Sequence, residues 1–170
     1  LFSCDKSKLP EMYQTDNDYA TILRFAIRSA LIDAVKIEGS LDEDDIDDIA
    51  GQAVDLGSVP IIVIRADQGA KADELVQKME SRWDLEAKTF ELAVPVQTKE
   101  DIQALEDAAK AFHEAHHDAT VIPHPIGKIA KEAMLQGQTF GAPLLYTTDG
   151  EETETLPTST AIHKLLHPEE

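Results

Sequence analysis

Apolar positions recur along this chain with two periods, and the period switches repeatedly from one to the other. In residues 16–30, Tyr19, Ile22, Leu23, Ala26, Ile27 and Ala30 fall at i, i+3, i+4, i+7, i+8 and i+11. That spacing draws one stripe down a helix of 3.6 residues per turn. Thr15 or Asp16 is placed to cap its start. The same spacing predicts a helix over 42–56, with Ile46, Ile49, Ala50 and Ala53 as its stripe. The first turn of that helix is acidic, which suits the positive end of the helix dipole. A third helix carries Ala72, Leu75, Val76 and Met79, and a fourth carries Ile102, Leu105, Ala108, Ala109 and Phe112. Thr98 with Asp101 opens the fourth in the manner of a capping box. Two further helices are expected over 126–136 and 158–167.

Between the helices lie short runs rich in β-branched residues, which read as strands. They cover 32–38, 59–66, 89–94, 120–122 and 143–147, and residues 1–4 form another strand-like run. The continuous apolar segment Pro60-Ile61-Ile62-Val63-Ile64 marks a strand buried on both faces. Strands alternating with helices are the pattern of parallel βα units, and about six such units are expected. The alternation alone leaves a (β/α) barrel and an open doubly wound sheet as alternatives. No glycine-rich phosphate loop follows any of the strands, which counts against a nucleotide site. Residues 148–157 read as a polar, acidic loop.

Charge narrows the partners. The chain has 170 residues, 42% of them hydrophobic, enough for one domain with a real core. Its formal charge of −18 repels phosphate backbones and anionic membranes, so neither nucleic acid nor a membrane is an expected partner of this domain. A protein partner fits that charge better. Cys4, the single cysteine, has no internal disulfide mate, which fits a reducing compartment such as the cytoplasm or nucleus. Leu1-Phe2-Ser3-Cys4 is similar to the end of a lipoprotein signal but lacks the hydrophobic run before it, so lipidation is not expected. The first residue is not Met, and the chain is expected to be part of a longer one.

Three features suggest metals or ligands and are read more plainly. His113-Glu114-Ala115-His116-His117 fits the His-Glu-x-x-His zinc pattern. The run ends a helix, at the face of a βα barrel opposite the catalytic loops, so no metal is expected there. The acidic cluster 42–48 lacks the spacing of a calcium loop. Trp83 ends a helical stripe and reads as a packing residue. No cofactor is expected.

Taken in order, the segments resemble type I 3-dehydroquinate dehydratase, a (β/α)8 barrel. Asp18-Tyr19 through Ala34-Val35-Lys36-Ile37-Glu38 is similar to that family's Tyr-led helix and a strand ending Asp-Val-Glu. Pro60 through Gln68 matches a strand ending His-Asp-Phe, and Phe90-Glu91-Leu92-Ala93-Val94 matches Val-Lys-Ile-Ala-Val. Gly127, Gly137 and Phe140-Gly141-Ala142 match glycine-bearing elements near the end. The resemblance implies an α/β, TIM-barrel-like fold, incomplete at about six of eight βα units, over a single domain 1–170.

The resemblance also implies a chemistry, and here the chain departs from it. The family forms a Schiff base through a lysine, moves protons with a histidine and clamps a carboxylate with arginines. The corresponding positions hold Glu91, Ala66, Asp5 and Met134. A carboxylate cannot form an imine and a methyl group cannot shuttle a proton. The expectation is a domain that is not an enzyme and acts as a regulator of quinate metabolism. In that expectation it resembles the dehydroquinase-like part of a fungal quinate repressor, working through a partner such as a transcriptional activator or by sensing a pathway metabolite. Glu38, at a strand end, and Asp67 are the expected ligand-binding residues. The alternative is an active dehydratase or another barrel lyase, with Lys88 slipped onto the strand as its amine.

Overall fold

The computed structural model describes residues 1–4, 6, 9–29 and 31–167. Among them are six α-helices and four sheet strands. They run α1 (Asp16–Arg28), β1 (Ala34–Glu38), α2 (Glu43–Asp55), β2 (Val59–Arg65) and α3 (Ala72–Glu80). Then follow β3 (Thr89–Pro95), α4 (Lys99–Ala115), β4 (Thr120–Ile126), α5 (Lys128–Met134) and α6 (Ser159–Leu166), with one 3-10 turn at Glu11–Tyr13 ahead of α1. The strands form one sheet in the order β1-β2-β3-β4, so each neighbours the next in sequence. β1 pairs parallel with β2, Ala34 opposite Val59 and Glu38 opposite Val63. Thr120 N–H donates to Lys88 O at one end of the β3–β4 pair and Val96 N–H to Ile126 O at the other, so these two also run parallel.

Most of the helix stripes are buried where the periodicity put them; Ile22, Ala72, Val76 and Ala109 are half-buried, and Ala30 lies outside the described residues. Tyr19, Leu23, Ala26 and Ile27 are buried on α1, and all four stripe residues of α2 are buried. Thr15 caps α1, and α4 opens with the Thr98–Asp101 capping box in both its hydrogen bonds. β2 is buried at five successive positions, as its unbroken apolar run requires.

The strand expectations at the two ends need correction. Phe2 makes a single parallel bridge to Val35 rather than a strand, and 120–122 extends to Ile126. Residues 143–147 are irregular. The reason lies in β4. Thr120 and Ile126 both face β3, so the even-numbered residues of β4 bond inward and the odd-numbered ones face the other edge. Two of those odd positions are Pro123 and Pro125, which have no N–H. A further strand would find two donors missing along that edge.

Two compact units divide the chain. The first comprises 1–64, 78–90 and 118–120, and the second 65–77, 91–117 and 121 onward. In the first, Arg24 bonds Asp48 and Asp45, each at 2.8 Å, which ties the acidic α2 to α1. Arg82 pairs with Glu43, and Asp47 accepts the Glu86 N–H at 3.0 Å. The acidic cluster is therefore spent on ion pairs and caps. In the second unit, Val96, Ile102, Ala130, Met134, Phe140 and Ile162 form a core. Gly127 joins β4 to α5 at φ 144°, and a Cβ there would sit 2.6 Å from Val96 O, so only glycine fits.

The capping box gives a pH dependence with a definite sign. Hydrogen bonds from the Gln97 N–H first, then Thr98, hold the Asp101 carboxyl below its usual value of 3.8. A carboxyl lowered by folding adds stability above its ordinary value and loses it as pH falls through the lower folded value. Asp101→Asn is therefore expected to destabilise the protein at neutral pH, and the gap to wild type should narrow below about pH 4. Urea melts at several pH values would show it, and a gap constant with pH would refute it.

Candidate active site

The second unit holds a buried carboxylate inside an otherwise apolar strand. β3 alternates so that Phe90, Leu92 and Val94 share one face and Glu91 and Ala93 the other. Glu91 is only 2% exposed, and a buried charge of this kind needs partners. Two of them are clear. His124 Nδ1 lies 2.8 Å from Glu91 Oε1, and the Tyr146 hydroxyl donates to Oε2 at 2.5 Å. The rings of His124 and Tyr146 stack with centroids 4.1 Å apart. His124 comes from β4, the neighbouring strand, and Tyr146 from the irregular segment after Gly141.

This arrangement assigns the atoms. A carboxylate at Glu91 accepts from both neighbours, so His124 Nδ1 carries a proton. In the neutral ring the lone pair then sits on Nε2. Both Glu91 oxygens are engaged, so the group offered to a ligand is His124 Nε2 and not the carboxylate. Burial first, then the Glu91 carboxylate, push the Tyr146 phenol far above its ordinary value of 10, so it stays a donor throughout the neutral range. A carboxylate that orients an imidazole is the arrangement general acid–base catalysis uses.

The sequence-derived residues are distributed differently. Glu38 ends β1 in the first unit, half-buried, and Asp67 is exposed just after β2 in the second. Ala66 is the first residue past β2. Met134 closes α5 and is buried in the core of the second unit. Asp5 lies outside the described residues. Lys88 stands before β3, its Nζ 3.9 Å from the Trp83 ring centroid and bonded to Trp83 O at 3.3 Å. It is not the strand amine that the lyase alternative placed there. Trp83 also packs on Phe90, ring centroids 6.3 Å apart. In the His-Glu-x-x-His run, α4 ends at Ala115 and His116 packs on Phe112 at 4.6 Å. Among the described residues no cluster of three or more His, Cys, Asp or Glu is arranged to hold a metal, and no helix is long and apolar enough to cross a membrane.

The sequence reading missed His124 and Tyr146. One signal was available: a Glu inside a run of buried apolar residues demands a partner on a neighbouring strand. Nothing local marked Tyr146, which is 55 residues from Glu91.

Comparison with known proteins decides the family. The family model for type I 3-dehydroquinase matches residues 1–169. The chain belongs to the type I 3-dehydroquinase family. It is 28% identical over 134 residues to the 3-dehydroquinate dehydratases of Salmonella paratyphi B and Salmonella enteritidis, a match that covers 78% of this chain and 53% of theirs. The chain thus spans about half the length of the curated relatives it matches. Type I 3-dehydroquinate dehydratase from Clostridium difficile, solved with covalently modified comenic acid, superposes with a TM-score of 0.77 at 20% identity. That superposition covers 91% of this chain and 63% of the other. The Geobacillus kaustophilus 3-dehydroquinate dehydratase gives 0.73 at 17% identity, covering 92% and 62%. The α/β, barrel-like fold class read from the sequence stands on these likenesses.

They also correct the expectation that the chain is not an enzyme. The family is one of dehydroquinases, and the relatives and structural neighbours are themselves named 3-dehydroquinate dehydratases. That expectation rested on Glu91 and Ala66 alone, without the imidazole and phenol that the fold gathers around Glu91.

Proposed function

We propose that the second unit binds a cyclic polyhydroxy keto-acid of the 3-dehydroquinate class and dehydrates it by acid–base chemistry without an imine. The observation that carries this reading is the buried Glu91 bonded to both His124 and Tyr146. In this mechanism His124 Nε2 takes the proton α to the ketone, and the C–H electrons pass into the carbonyl as an enolate. The enolate then re-forms the ketone and expels the β-hydroxyl, which leaves as water with the proton His124 returns. Glu91 holds the ring in place and stabilises the imidazolium during transfer, and Tyr146 fixes the second Glu91 oxygen. No lysine takes part.

The test is to incubate the protein with 3-dehydroquinate and follow the ultraviolet absorbance of the conjugated product, with a parallel sample treated with borohydride. Product formed without borohydride inactivation supports the reading. No product, or a reduced adduct on any lysine, overturns it.

A second reading keeps the same side chains and adds a signalling role. It places the domain in the cytoplasm or nucleus, within a quinate-pathway transcriptional repressor, where ligand binding is read out by a protein partner such as an activator. Two observations favour it: Glu91 stands where the resembled strand has its lysine, and the charge of −18 suits a basic protein surface. Asp67, just past β2 in the second unit, is proposed as a ligand contact of this site, and Glu38 as a separate strand-end contact within the first unit. Saturable binding of quinate by calorimetry would support this role, and its absence would count against it.

A further inference from the structure

We infer that His163 and His167 form a two-histidine site for a late first-row divalent transition metal at the C-terminal end of α6. Five of the six histidines of this chain gather at two helix ends: His113, His116 and His117 at α4, and His163 and His167 at α6. Each end holds one pair four residues apart, the spacing that sets two imidazoles on one side of a helix. Geometry tells the two pairs apart. A metal bound about 2.0–2.1 Å from a ring nitrogen lies about 3.2 Å from the centroid of that ring. Two rings that share one ion at about 90–110° therefore have centroids about 4.5–5.2 Å apart. His163 and His167 stand at 4.7 Å, their planes tilted by 35°. His113 and His117 stand at 6.1 Å, edge to face, too far apart for adjacent positions on one ion.

The backbone holds the α6 pair in register. His167 caps the helix, and its N–H donates to His163 O at 2.9 Å. The last carbonyls of a helix form the negative end of its dipole, which favours a cation there. The charge of −18 draws cations to the surface as a whole. Imidazole selects Ni²⁺, Cu²⁺ and Zn²⁺ over Mg²⁺ and Ca²⁺, which take oxygen ligands. Both rings line a groove of about 370 Å³ whose wall also carries the hydroxyls of Thr139, Thr147 and Ser159. Two protein ligands leave the other positions of the ion open toward that groove, for water or an oxygen donor such as a carboxylate. The site uses neither His124 nor Tyr146, so it stands whether or not the chain dehydrates a keto-acid.

Nickel binding tests the pair. Chelator-treated protein with Cys4 alkylated is titrated with Ni²⁺ by calorimetry, and one tight, saturable site is expected. His163→Ala and His167→Ala should each weaken that site by about 10-fold or more, since the second ring binds an ion already held by the first. His117→Ala should leave it unchanged. His163 and His167 are both exposed, so metal-free variants should melt with the wild type, which separates lost binding from lost fold. Substoichiometric Ni²⁺ should also broaden the amide resonances of residues 160–167 ahead of all others. Wild-type protein that binds no Ni²⁺ would overturn the inference, and so would single α6 variants that keep wild-type affinity. A loss in His117→Ala as large as theirs would move the site to α4. Displacement of the bound Ni²⁺ by equimolar Mg²⁺ would make it a carboxylate site and overturn the inference as well.

Discussion

His124→Asn is expected to lower kcat on 3-dehydroquinate by about 10²- to 10⁴-fold, the usual share of a general base. Asparagine is close to histidine in reach and can keep a hydrogen bond to Glu91 Oε1, where Nδ1 now sits at 2.8 Å. It cannot accept and return a proton. The loss should therefore fall on kcat, with KM changed little, because the ligand's shape complement stays in place. Steady-state kinetics measures the split. A variant with wild-type kcat would remove His124 from the mechanism, and a change confined to KM would make it a binding residue.

The largest effect on stability is expected at Glu91. Glu91→Ala strands two donors, the Tyr146 hydroxyl and His124 Nδ1, in a site whose carboxylate is 2% exposed. Each stranded donor costs about 1–3 kcal/mol. For a chain of this size each kcal/mol lowers Tm by roughly 2–4 °C, so a fall of about 5–20 °C is expected by calorimetry. Glu91→Gln separates stability from chemistry. Its amide can accept from Tyr146 and donate to Nδ1, which keeps the fold but moves the imidazole proton to Nε2. That tautomer cannot act as base, so turnover should drop while Tm stays near wild type. A Glu91→Ala protein as stable as wild type would show that the buried carboxylate is not satisfied by these two partners.

The distribution of these effects follows from what was legible in the chain. Helix stripes are local, since a stripe is set by residues three and four apart, and α1, α2 and α4 bury most of the residues their spacing marked. The capping box at Thr98 and Asp101 spans three residues and was equally readable. β2 was plain from its unbroken apolar run. The family was legible too, because shared order and spacing of several weak motifs add up where one alone does not. The segment 143–147 was misread because a strand is defined by its neighbour. The apolar content of Leu144 and Leu145 could not reveal that Pro123 and Pro125 leave the adjoining edge short of donors.

The site was the least legible part. The resemblance sets Glu91 against a family lysine, yet what Glu91 does depends on what faces it. His124 is 33 residues away and Tyr146 is 55. The sequence by itself determined the helices, the buried strands, the acidic surface and the family, because each is written in local periodicity, composition or ordered motifs. Only the tertiary structure decided that one buried carboxylate would hold an imidazole and a phenol together. Contacts between distant residues have no period in the chain, and they come into being only when packing brings the strands and loops side by side.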